Sequence, residues 1–135
     1  MIEDAKILFN KAEKDLHLAK HLIYEDEEFI EAICFHCQQA AEKYLKSYLS
    51  YNNKEIKRTH EVIDIIKDCE QLDVEFIKLN EIETGKLTRY AVNLRYDDIP
   101  FITIEDANEA LYVAEQVRSF IILKIPELLA DKKIN

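Results

Sequence analysis

A single glycine and two prolines in 135 residues leave almost no material for the tight turns that a small β protein needs. That scarcity excludes a many-stranded fold and points to a chain that is nearly all helix. Long hydrophobic runs are missing as well. No segment approaches the roughly eighteen apolar residues that suggest a membrane span. The opening MIEDAKILFN lacks a basic region followed by an apolar stretch and a cleavage site, so a cytoplasmic protein without membrane association is expected. Cysteine is scarce and odd in number, at three, which fits a reducing compartment better than a disulfide framework. Positive charge is in the minority, 18 basic against 27 acidic side chains for a net of −9. This excludes generic nucleic-acid binding, because phosphate contacts need local positive potential.

What is present is enough for one hydrophobic core, with 48% hydrophobic and 33% charged residues, and residues 1–135 are expected to form a single domain. The acidic excess is uneven. Residues 1–42 carry 4 basic and 10 acidic side chains, residues 43–60 carry 5 and 1, and residues 61–135 carry 9 and 16. The one basic segment holds Lys43, Lys46, Lys54, Lys57 and Arg58. A discrete basic patch on an acidic protein suits a small anion or a short RNA element better than a long polyanion. Solvated lysines around a loop are the plainer alternative.

Helical periodicity runs through most of the chain. Ala5, Leu8, Phe9, Ala12, Leu16, Ala19 and Ile23 predict a first amphipathic helix over 2–24. A second is expected from about Glu28 to Tyr51, stopped by Asn52 and Asn53. Thr59 is placed to cap a third, with Val62 at its N3 position and Ile63, Ile65, Ile66, Cys69 and Leu72 among its apolar residues. Between Phe76 and Leu94, two short patterns flank Gly85 and predict a helix or a broken pair. The segment RYDDIPF is then a connection, since Pro100 disfavours helix at Ile99. Thr103, followed three residues later by Asp106, opens a last helix that Pro126 ends or kinks. The expected architecture is all-α, an antiparallel up-down bundle of four to five helices.

The stretch CFHCQQAAEKYLK, residues 34–46, can be read as a metal or redox site, a polar binding row, or a buried helix. On a helical wheel at about 100° per residue, Phe29, Ile33, Cys37, Ala40, Ala41, Tyr44, Tyr48 and Tyr51 share one apolar arc, with Cys34 and Leu45 at its edge. His36 falls about 100° from Cys37 and about 160° from Cys34, so these three cannot face one ion from a regular helix. Cys69 has no second cysteine beside it, and the cysteines are expected to pack as small core residues. His36, Gln39, Lys43 and Lys46 instead form a polar row along the flank of the arc. Such groups need partners or a ligand. Gln39 and Lys43 could bond to neighbouring helices, and Lys46 could pair with Glu42 at i,i+4. His17 and His21 lie four apart without a Glu-x-x-His framework to support a metal, so an exposed surface is expected there and no metal or cofactor is predicted.

FNKAEKDLHLAKHLI, then QQAAEKYLKSYL, RTHEVIDII and TRYAVNLRYDD before a final Ala-rich helix together resemble the HEPN domain, over roughly residues 5–122. The most specific part is QQAAEKYLK followed by THE and then RY. The resemblance implies a compact, typically dimeric helical bundle with a nucleotide- or RNA-related role, often encoded beside or fused to a minimal nucleotidyltransferase. Members that cut RNA carry an Arg and a His separated by four to six residues. Here the positions counted from Arg89 are Leu94, Arg95 and Tyr96, and from Arg95 they are Pro100, Phe101 and Ile102; Arg58 and Arg118 fail the same count. Arginine alone cannot exchange a proton near neutral pH, which favours binding over catalysis. The family's Arg-Tyr-Pro-Asp turn becomes Arg95-Tyr96-Asp97-Asp98.

The resemblance thus implies a noncatalytic nucleotide-binding or accessory protein. Lys43, Lys46, Arg89 and Arg95 are the candidate ligands of a nucleotide or RNA phosphate, with arginine as a bidentate fork and lysine as a point charge. Gln39, His60 and Tyr96 are candidates for orienting the base or ribose, and Asp97 belongs to the same turn. A homodimer and a nucleotidyltransferase partner are expected. The alternatives are a ribonuclease toxin with a diverged Arg-centred site and a purely structural assembly subunit.

Overall fold

The computed structural model describes residues 2–25, 29–92 and 102–133. These residues form four longer helices, α1 (Ile2–Leu22), α2 (Ile30–Tyr51), α3 (Val62–Glu70) and α6 (Ile104–Lys124), and two helices of about one turn, α4 (Lys78–Glu81) and α5 (Thr88–Val92). Short 3₁₀ segments occupy Val74–Ile77, Thr84–Leu87 and Pro126–Lys133. The fold is the all-α bundle that the periodicity predicts. Among the described residues, no helix is long and apolar enough to cross a membrane.

Each long helix buries the stripe its sequence marks. In α1 the buried positions are Ala5, Phe9, Ala12, Leu16 and Ala19, while Glu3 and Asp4 in the first turn and Lys20 and His21 in the last complement the helix dipole. This helix packs mainly on α2. Phe9 meets Tyr44 at a centroid distance of 5.4 Å, and Asp15 bonds His36, so the two helices run antiparallel. Arg118 of α6 reaches Glu13 of α1 through Nε at 2.6 Å and Nη2 at 3.1 Å. Lys20 pairs with Glu115 at 2.7 Å, which sets α6 antiparallel to α1 and alongside α2 in the same direction.

The end of α2 answers to Asn52 and Asn53. Asn53 takes a left-handed φ of 57°, which asparagine tolerates better than most residues. Its amide donates to Ser50 O, and that of Lys54 to Leu49 O at 2.9 Å; this is the paired pattern of a Schellman termination. At α6, Asp106 N donates to Thr103 Oγ1 at 3.2 Å and Thr103 N to Asp106 Oδ2 at 2.9 Å, completing the predicted capping box.

The start of α3 departs from expectation. The helix begins at Val62, after an extended Glu61, rather than just beyond Thr59. Thr59 Oγ1 accepts the Glu61 amide at 3.0 Å and so shapes the turn before the helix. The reason lies with His60, whose ring is engaged by α2 (below), and with Val62, whose amide donates to Thr88 Oγ1 at 2.9 Å. A threonine 26 residues away thus satisfies a donor that a neighbouring cap would normally take.

Residues 74–92 descend in steps of 3₁₀ and α turns, the broken form of the region around Gly85. Phe76, fully buried, wedges between Tyr48 of α2 and Phe120 of α6 at centroid distances of 4.5 and 4.8 Å. A Cβ on Gly85 would lie 2.5 Å from Ile63 Cγ1; glycine is what lets this turn lie directly on α3.

Candidate functional site

The central helix is buried over far more than the apolar arc read from the wheel. Gln38, Glu42 and Ser47 are buried together with Cys34 and Leu45, because α3 and α5 also pack on α2. Gln38, Glu42 and Lys46 recur every four residues and form a second row of their own. Glu42 is its centre. One carboxylate oxygen, Oε1, accepts from Gln38 Nε2 at 2.8 Å and bonds His60 Nδ1 at 2.9 Å, while Oε2 accepts from Lys46 Nζ at 2.8 Å. Gln39 joins at one remove, donating to Gln38 Oε1 at 2.6 Å.

Burial pushes the Glu42 carboxyl up, but the hydrogen bonds from Lys46, His60 and Gln38 outweigh it and hold the group below its ordinary value. Glu42 is therefore an ionised carboxylate at neutral pH with only 6% of its side chain exposed. An ionised carboxylate only accepts, so His60 carries its proton on Nδ1 when neutral and turns Nε2 outward. The imidazole is 63% exposed and Lys46 14% exposed; this places the two groups as a rim around a buried anchor.

The polar row His36, Gln39, Lys43 and Lys46 divides. Spacings of three, four and three spread these residues over about 80° of the helix, enough to give them different neighbours. His36 Nδ1 and Lys43 Nζ turn to the two oxygens of Asp15 on α1, at 2.9 and 2.6 Å, whereas Gln39 and Lys46 turn to the Glu42 cluster. Arg89 stands elsewhere, at α5. Its Nη2 donates to Tyr90 OH at 3.2 Å, its guanidinium carbon lies 5.0 Å from the centre of that ring, and Asp106 is 3.8 Å away. The hollow beside it, lined by Lys86, Tyr90, Asp106 and Glu109 among others, measures about 60 Å³, too small for a nucleotide. Arg95, Tyr96 and Asp97 fall outside the described residues. The structure thus brings together Gln39, Lys46 and His60 and separates Lys43 and Arg89 from them.

Gln38 and Glu42 were the residues sequence reasoning passed over as site members. The signal for them was a polar pair four apart within a run of alanines and leucine, a placement that requires partners. A larger groove of about 660 Å³ runs along α1 against Arg118 and is lined by Glu13, Lys14, His17, Lys20 and His21 among others. Two of its cations are committed, Arg118 to Glu13 and Lys20 to Glu115.

The cysteines give no reactive centre. All three are buried, and burial pushes each thiol up, Cys34 to about 12 with a further push from Asp106. Among the described residues, no cluster of three or more His, Cys, Asp or Glu side chains is placed to hold a metal ion.

The protein is thus an all-α bundle whose second helix carries Gln38, Glu42 and Lys46 at four-residue spacing, tied through His60 to the turn before the third. The HEPN domain family matches residues 5–125, and the chain belongs to that family. A solved structure described as an archaeal HEPN homologue shares the fold with a TM-score of 0.66 at 24% sequence identity, over 93% of this chain and 98% of that one. No curated protein matches the chain.

Proposed function

We propose that this protein is a noncatalytic HEPN-type accessory protein that binds the phosphate of a nucleotide or of an RNA at the rim formed by Lys46 and His60. The observation that carries the reading is the anchoring of both groups on one buried, ionised carboxylate, Glu42, at the mouth of the chain's only basic segment. Lys57 in that segment pairs with Asp68 at 3.3 Å. Among the described residues, no side-chain hydrogen bond or ion pair engages Lys54 or Arg58, both exposed, so they add uncompensated positive charge to the same basic segment. Gln39 and Tyr96 remain candidates for contacts to the base or ribose and Arg95 for the phosphate, with Asp97 next to them in sequence. Lys43 and Arg89 become secondary, since Lys43 turns to Asp15 on α1 and Arg89 to Tyr90 and Asp106, away from the Glu42 cluster. The absence of a histidine at the ribonuclease spacing supports binding over cleavage. A minimal nucleotidyltransferase partner and a homodimer belong to the same reading.

Titration calorimetry with AMP, ATP and GTP tests it. Binding in the micromolar to millimolar range, weakened at least tenfold by Lys46→Ala, is the expected result; no heat and no thermal shift at millimolar nucleotide would sink the proposal.

One feature favours a second reading as a ribonuclease toxin. His60 is held through Nδ1 by a buried carboxylate and offers Nε2 to solvent, the posture of a general base. Growth arrest on expression without its genomic neighbour, together with RNA cleavage lost in His60→Gln, would select that reading. Harmless expression and intact RNA would dismiss it.

A further inference from the structure

The outward face of α6 carries a pattern unrelated to the Glu42 cluster. Tyr112, Gln116, Ser119 and Leu123 are all exposed and recur at spacings of four, three and four. That confines them to about 60° of the helix circumference, opposite the buried stripe that includes Ala110, Val117 and Ile121. The row is apolar at both ends, with Tyr112 56% and Leu123 78% exposed. Its middle is polar but uncharged.

The flanks widen this surface. Phe76 packs on Phe120 and Lys124 bonds Asp73 at 2.7 Å, which holds the 3₁₀ segment Val74–Ile77 beside α6 with Val74 and Ile77 exposed. Towards the start of the helix, Tyr24 and Tyr112 line a hollow of about 350 Å³ together with Ile23 and Leu111. Of the nine large apolar side chains exposed among the described residues, five stand on this row or beside it. Exposed apolar area is therefore concentrated here, as at an interaction surface.

The row is its own complement. Turned end for end about a two-fold axis between Gln116 and Ser119, it sets Tyr112 against the partner's Leu123 and Gln116 against the partner's Ser119. Each end gains an apolar contact, and the middle gains a pair able to hydrogen bond. No like charges meet along it, which matters for a chain of net −9 whose copies repel one another. An exposed row of the same four-three-four spacing on α1 consists of Ile7, Lys11, Lys14 and Leu18. The same self-pairing there would set lysine against lysine twice, which is unfavourable. Docking of α1 on α6 of another copy would be a heterologous contact that leaves one row of each kind open to further copies.

Resting on the homodimer in the reading above, we propose that two copies of this chain associate through the outward row of α6, antiparallel about that two-fold axis. No residue of the row belongs to the Lys46 and His60 rim.

Sedimentation velocity from about 5 to about 500 µM tests the proposal, a range suited to a surface at the small end of stable interfaces. The wild type should pass from monomer to dimer. Gln116→Glu combined with Ser119→Glu sets carboxylates against each other across the axis and should weaken the dimer at least about tenfold. Gln116→Lys combined with Ser119→Glu should restore it, because lysine of one copy then meets glutamate of the other. Both positions are exposed, and unchanged circular dichroism and melting of the variants verify their folding. A dimer indifferent to the two glutamates overturns the α6 face and leaves the homodimer standing. A lysine and glutamate variant as weak as the double glutamate overturns the antiparallel alignment. Species larger than two that disappear in Leu18→Lys identify α1 as the docking partner of α6 and overturn the inference as well. A monomer at every concentration overturns the homodimer together with its face, while titration with AMP decides phosphate binding independently.

Discussion

Thr88 Oγ1 accepts the backbone amide of Val62 at 2.9 Å, so the first residue of α3 is capped by the first residue of α5. Both residues are buried, and water cannot readily replace the missing partner. Thr88→Val keeps the side-chain shape but leaves the amide unsatisfied. It should destabilise the protein by about 1–2 kcal/mol in urea unfolding, and Thr88→Ser should recover much of the loss. Equal stability of Thr88→Val and wild type would show that this bond is not made in solution.

Glu42 is a second place where one atom group serves several elements. Its carboxyl is held below the ordinary value, so its contribution to stability is present above the unfolded-state value near 4.5 and is lost as pH falls through the lower folded value. Glu42→Gln removes that dependence and leaves Lys46 without its counter-charge. We expect a loss of about 2 kcal/mol at pH 7 that shrinks as both proteins are titrated toward pH 3. A difference that stays constant over this range would contradict the ionised assignment.

Tyr44 is fully buried and donates its hydroxyl to Glu13 at 2.5 Å, on the oxygen that also accepts Arg118 Nε. Burial, and then the Glu13 hydrogen bond, push the phenol up, so it remains neutral through the alkaline range. Tyr44→Phe keeps the packing against Phe9 and removes one donor, with an expected cost of about 1 kcal/mol. The near-ultraviolet absorbance of the native protein should show a tyrosine that does not ionise at pH 11 and is missing in this variant.

The thiols give a kinetic test of burial. Cys34, Cys37 and Cys69 are all buried and their thiols are pushed up, which removes the reactive thiolate. Folded protein at pH 8 should leave all three unmodified by a disulfide reagent over minutes and expose them together on unfolding. A single fast-reacting thiol in the native state would place one of them at the surface.

Much of the fold was legible because apolar spacing is a local signal. The stripe through Phe9, Ala12 and Leu16, the capping box at Thr103 and Asp106, and the stop at Asn52 and Asn53 all emerge in the structure. The start of α3 was not legible, since Thr59 has the chemistry of a cap while the acceptor that satisfies Val62 lies 26 residues on. The candidate site was half legible for a related reason. A helical wheel places Lys43 and Lys46 on one flank, but it cannot say that Asp15 on one neighbouring helix draws off the first while Glu42 keeps the second. Glu42 itself read only as a possible i,i+4 partner of Lys46 in the polar row; its burial depends on helices that the wheel does not contain.

The pairing of Arg118 with Glu13 spans 105 positions, so it closes one of the longest loops in the chain. A loop of that length resists closure until something brings its ends together, and α2, which touches both α1 and α6, is the natural template. The order of folding expected from this is that the α1–α2 hairpin forms from near-neighbour contacts and α6 docks on it afterwards. Substitution of Arg118 should then accelerate unfolding and leave the folding rate nearly untouched, with a φ-value near zero, whereas substitution at Phe9 should slow folding. The reverse pattern would mean that the two ends of the chain meet before its centre is built.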